Sequence, residues 1–143
     1  MYGQHFDWSW ASQVHGTHTD AINEVNSNIK GDILVTGTFY STAIDWDNTI
    51  VVNPYENESN GIYLGKLNTQ GELLWTNKIF RAPGNSSTSI YFNDADLNAL
   101  GESFVSGHVY YNGIIVDSVI YPTDDNYSSS GFVTRFDTNG KIV

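Results

Sequence analysis

Residues 31–39 read GDILVTGTF, and residues 101–109 read GESFVSGHV. Both are short runs of β-branched and aromatic residues opened by a glycine and broken by a second one, the composition of a half-buried strand. Gly31 recurs as Gly101 and Gly37 as Gly107, 70 residues on in both cases. Downstream, KLNTQGELL from Lys66 is matched by RFDTNGKIV from Arg135, 69 residues on, and Trp10 is matched by Trp75, 65 residues on. Three anchors in the same order, with the length change confined to a polar loop, mark an internal repeat.

Working outward, strands are predicted over 32–39, 61–68, 72–80, 103–110 and 131–137. Residues 68–71 (NTQG) and 137–140 (DTNG) are predicted hairpin turns, with glycine supplying the positive φ. No stretch holds a 3.6-residue apolar period; 94–100 (DADLNAL) has room for one helical turn. Each unit therefore reads as four strands: an inner one (21–26, then 89–92), the VTG or VSG strand, the KLN or RFD strand, and last the strand carrying LLW. Four sequential antiparallel strands per repeat is the layout of a propeller blade, with the tryptophan packing between blades. The expected fold is all-β, with about two four-stranded antiparallel β-propeller blades in the chain; the alternative is a β-sandwich.

The string IYLGKLNTQGELLW, preceded by AINEVNSNIKGDILVTGTF, resembles the β-propeller repeat of large secreted bacterial proteins, often called the SBBP repeat. That repeat carries a D-[IV]-[FY]-[VL]-A-K-[LF]-D-x-x-G-N-L-L-W core and a G-N-x-Y-V-T-G strand. Ile44-Asp45-Trp46 resembles its I-D-F element. The chain departs from the pattern at Gly61 (usually Asp), at Gly65 (usually Ala), in loop 81–88, and at NDADLNALGE after the second inner strand. The resemblance implies an extracellular or cell-surface scaffold without established chemistry in its repeats.

The ends carry a further expectation. Residues 1–14 read as an outer strand completing another blade, 15–80 as a first blade, and 81–143 as a second blade lacking its outer strand. This is a velcro arrangement, and two blades cannot close a ring that typically needs four to eight. Either the chain belongs to a longer propeller, or copies join head to tail as a homo-oligomeric ring. Three copies make six blades and four make eight.

The chain has 143 residues, 16 acidic against 6 basic, a net charge of −10 and no cysteine. The acidic balance argues against nucleic acid, which requires a basic footprint. No window is apolar enough for membrane insertion, and disulfide and thiolate chemistry are excluded.

Candidate sites are few. Asp94, Asp96 and Asn98 alternate oxygen ligands as in a calcium loop, without the glycine and twelfth-position acid of the full motif. His15, His18 and Asp20 are metal-ligating types, but residues three apart on an extended segment face opposite ways. Trp46, Tyr55, Tyr110, Tyr111, Tyr121 and Tyr127 stand among Asn, Asp and Ser, as sugar-stacking or interface aromatics do. No G-x-S-x-G, H-E-x-x-H or phosphate-cradling loop occurs, so no enzyme is expected. The expected function is a non-catalytic structural or interaction scaffold, binding protein partners. The alternative is a lectin-like binder of glycans through the tyrosine-bearing loops, with calcium possible.

Overall fold

The computed structural model describes residues 9–53, 60–82, 89–110, 113–123 and 129–143. Among these the chain is all-β, with twelve strands: β1 (Val14–Gly16), β2 (Asp20–Ser27), β3 (Ile33–Phe39), β4 (Ala43–Trp46), β5 (Thr49–Val52), β6 (Gly61–Leu67), β7 (Leu73–Arg81), β8 (Ile90–Leu97), β9 (Ser103–Tyr110), β10 (Ile114–Val116), β11 (Val119–Tyr121) and β12 (Ser129–Phe136). They form three antiparallel sheets. A six-stranded sheet runs β11-β10-β7-β6-β3-β2, flanked by three-stranded sheets β1-β4-β5 and β12-β9-β8.

The six-stranded sheet is the middle layer, because its side chains alternate between two cores. Leu34, Ile62, Leu64, Ile79 and Val116 pack with Ile90, Ala95, Leu97, Val105 and Phe136 of the β8-β9-β12 sheet. Their sequence neighbours Val35, Tyr63, Phe80 and Ile115 pack with Ile44, Trp46 and Val51 of the β1-β4-β5 sheet. Strand pleating puts successive residues on opposite faces, which is why β6, central in the middle layer, is buried along its whole length.

The order β2-β3-β6-β7 gives the four sequential strands read from the repeat. The sequence reading missed the two hairpins inserted between its VTG or VSG strand and the next. β4-β5 and β10-β11 turn through Asp47 and Asn48 (φ 46° and 67°) and through Asp117 and Ser118 (φ 51° and 67°). Both central residues are left-handed, as in a type I′ turn, whose twist matches that of the flanking strands. Each hairpin pairs with an outer strand earlier in the chain. Ile44 and Trp46 lie opposite Gly16 and Val14, and Ile114 and Val116 lie opposite Arg81 and Ile79. The second hairpin thus comes from the 81–143 stretch and extends the sheet of the 15–80 stretch.

The expected helical turn over 94–100 is corrected. β8 continues to Leu97, past a bulge between Phe92 and Asp94, and a tight turn follows. The bulge hides the strand, because an extra residue breaks the two-residue alternation. β2 carries the same irregularity between Ile22 and Glu24. Each bulge faces one of the repeated glycines. A Cβ on Gly37 would run into the Ala21 carbonyl and the Tyr63 ring, and one on Gly107 into the Tyr91 carbonyl and the Phe132 ring.

Candidate functional site

The described polar chemistry is concentrated where one layer meets the next, and it is built from four copies of one turn. In 28–32, 68–72, 98–102 and 137–141, the first side chain is Asn28, Asn68, Asn98 or Asp137. Its Oδ1 accepts the N–H of the residues two and four further on, at 2.9 to 3.1 Å. The fourth residue is glycine each time, with φ between 81° and 91°. A short amide or carboxylate that closes a turn on itself is why Asn and Asp favour such positions.

These turns are gripped by the preceding layer. Trp75 donates its indole N–H to Thr138 O at 3.1 Å, and Asn77 donates to Gly140 O at 2.8 Å. The Trp75 ring lies where a Cβ on Gly140 would fall, and the Trp10 ring lies likewise against Gly71. Across the same seam Glu24 accepts the Ala95 N–H at 3.0 Å, Asn26 donates to Ala95 O at 2.6 Å, and Asn28 donates to Asn98 O at 3.2 Å.

Lys66 donates to Gly101 O at 3.1 Å and pairs with Asp32 at 3.0 Å. Burial raises the Asp32 carboxyl, but hydrogen bonds from Lys66 and Asn28 and the Lys66 charge outweigh it, leaving its pKa below the ordinary carboxylate value. At the equivalent positions Arg135 pairs with Glu102, and the hydrogen bonds from Arg135 and Asn98 hold that carboxyl low. Tyr63 donates to Ala21 O at 3.1 Å; burial, then the Asp20 charge, pushes its phenol well above the usual range. Arg81 is buried with Nε and Nη1 unpaired, a feature the sequence reading did not single out.

The residues named from sequence are scattered. Trp46, expected as a loop aromatic, lies in β4 at 1% exposure, over Gly65, with its indole N–H donated to Ser12 Oγ at 2.8 Å. Its alternation with Ile44 places it in the core rather than before a ligand. Tyr55, Tyr111 and Tyr127 lie outside the described residues. Tyr121 is exposed on β11, at the edge of the middle layer. Tyr110 is exposed on β9 beside two residues not anticipated, Tyr91 and His108. Those two rings stack at 4.8 Å and 7°, and Tyr110 meets them edge-on at 5.9 and 5.8 Å. Asn93 Oδ1 lies 2.9 Å from His108 Nδ1.

Asp94 and Asp96 are exposed on β8. Asp96 accepts the Leu97 N–H at 2.7 Å, while Asn98 closes its turn and donates to Glu102 at 2.8 Å. In the repeat they occupy the positions of Glu24, Asn26 and Asn28, the residues that grip the next layer. Among the described residues no three His, Cys, Asp or Glu side chains gather as metal ligands. His15 lies 4.0 Å from Asp45. Asp20 instead clamps a loop, accepting the Tyr40 N–H at 3.0 Å, the Ser41 N–H at 3.2 Å and the Ser41 hydroxyl at 2.6 Å.

The chain matches no family model, no curated protein and no solved structure.

Proposed function

We propose that this chain is a non-catalytic scaffold module in which the stacked layers are consecutive blades of a β-propeller, exposed at a cell surface or outside the cell. One observation carries the reading: Trp10 sits on Gly71 as Trp75 sits on Gly140, so one blade-to-blade contact is made twice with the same chemistry. The motif resemblance to SBBP repeats supports both the blade assignment and the location. The groups with shifted ionisation, Asp32, Tyr63, Lys78 and Glu102, are engaged in seams, turns or the core, which favours structure over catalysis.

A covalent fusion of three or of four copies tests the fold, imaged by electron microscopy. Closed rings of six or eight blades support the reading. An open, straight stack overturns it.

The Tyr91–His108–Tyr110 group favours a second reading, a glycan platform, because exposed ring faces stack on sugars. A glycan array probed with the native chain and with Tyr91→Ala decides it; binding lost in the variant supports the platform, and an array without binding removes it.

A further inference from the structure

The middle layer is a complete version of what the two outer layers hold in halves. Its β2-β3-β6 part has the order of β8-β9-β12, and its β7-β10-β11 part has the order of β1-β4-β5. In the middle layer the halves are joined by pairing of β6 with β7. The equivalent edge of β12 carries, among the described residues, the single bridge from Phe136 to Ile142 and the Val143 N–H donated to Arg135 O. Beside that edge runs a groove of ≈ 320 Å³ lined by Val109, Ile114, Tyr121, Phe132, Thr134 and Ile142, among others.

We propose that this edge is a strand-acceptor site, and that its occupant is the segment from Trp10 to Gly16 of a second copy of the chain. The inference deepens the propeller reading and rests on it. An open strand edge offers unpaired N–H and C=O groups to any extended segment; the side chains select this one.

The register follows from β6 and β7, where Gly61 faces Phe80, Ile62 faces Ile79, Leu64 faces Asn77 and Lys66 faces Trp75. Transposed through the repeat, Ser130 faces His15, Gly131 faces Val14, Val133 faces Ser12, and Arg135 faces Trp10.

The faces flanking the edge are complementary in the same way. Leu34 and Leu64, at 1% and 0% exposure, pack against the β8-β9-β12 sheet. Their equivalents are Phe104 and Val133, the latter 72% exposed. The surface these would cover corresponds to Phe92, Ala95, Val105 and Phe136, and consists of Ile22, Val25, Val35 and Leu67. Those four, together with Trp10 and Val14, line an apolar groove of ≈ 180 Å³, with Ile22 and Val25 more than half exposed. Asp94, Asp96 and Asn98 then reach the second copy's Val25 and Asn28, as Glu24, Asn26 and Asn28 reach Ala95 and Asn98. Each chain carries both the donor and the acceptor surface, a heterologous contact that extends head to tail or closes.

Light scattering coupled to size exclusion reads the association, and two variants read the seam. The native chain is expected to self-associate, and Val133→Asp to be monomeric with an unchanged circular dichroism spectrum. His15→Cys with Ser130→Cys places two thiols opposite each other in a chain that has no other cysteine, and is expected to form intermolecular disulfides on oxidation. His15→Cys with Val133→Cys, on opposite faces in this register, is expected not to. A native chain monomeric at every concentration overturns the inference, as does association that survives Val133→Asp, or equal cross-linking of both cysteine pairs. Rings formed by the fused copies while the single chain stays monomeric would leave the propeller reading standing and remove this one.

Discussion

Lys66 Nζ lies 3.0 Å from Asp32 Oδ2 with the lysine side chain only 5% exposed, whereas the equivalent pair, Arg135 and Glu102, has its arginine 49% exposed. One ion pair thus occurs twice in the repeat, once covered by the next layer and once open. The covered copy also reaches the Gly101 carbonyl, so it ties two layers together as well as two strands.

Lys66→Met is therefore expected to cost about 2 kcal/mol, less than for a fully buried pair because Asp32 keeps some contact with water. Arg135→Met is expected to cost no more than about 1 kcal/mol in an isolated chain, the range of exposed pairs. Urea denaturation of both variants at one protein concentration checks the contrast.

Acid should weaken the fold through the same carboxyl. Asp32 has a folded pKa below its unfolded value of about 4. Its contribution is present above that unfolded value and is lost as pH falls through the folded one, because the unfolded chain takes up the proton first. Asp32→Asn is expected to be less stable at neutral pH and to show a shallower decline below about pH 4. A full acid decline in the variant would assign the effect to other carboxyls.

Gly37→Ala and Gly131→Ala should behave oppositely. At Gly37 the new methyl meets the Ala21 carbonyl and the Tyr63 ring, and at Gly131 nothing lies closer than 3.9 Å. The first is expected to lose about 3 kcal/mol or more, the upper range for overpacking. The second is expected to be neutral or to gain about 0.5 kcal/mol through a less flexible unfolded chain. Thermal melts of the two variants decide.

Trp46→Ala removes a core ring and the indole donor to Ser12, for an expected loss of about 3–5 kcal/mol. Tyr110→Ala, at 39% exposure, is expected to lose about 1 kcal/mol, the scale of an aromatic contact. Equal losses would show that Trp46 is not a core residue in solution.

Adding calcium or a chelator should leave the melting temperature unchanged, because Asn98 is already closed on its turn and Asp96 on its own backbone neighbour. Stabilisation by calcium that disappears in Asp94→Asn would revive the ligand reading.

The strands around VTG, KLN and LLW were legible because alternating β-branched and aromatic residues end at Asn- and Gly-bearing turns, whose conformations are set by residues within five positions. β8 was legible only in part: its bulge shifts the alternation at Asn93, and DADL then no longer reads as a strand. The hairpins β4-β5 and β10-β11 were missed because they are short and add their edges to strands formed earlier in the chain. The candidate site was the least legible. Tyr91 and His108 meet Tyr110 across neighbouring strands and turns, and Trp46 looked like a loop residue from its polar neighbours alone.

What the sequence by itself determined is the all-β class, the 70-residue repeat and the four glycine turns, because period-two patterning and positive φ are local requirements. Only the tertiary structure decided which faces are covered. Leu64 and Val133 are equivalent apolar residues on equivalent strands, yet one is at 0% exposure and the other at 72%. The difference is whether another layer lies on top, and burial depends on what packs against a residue rather than on the residue itself.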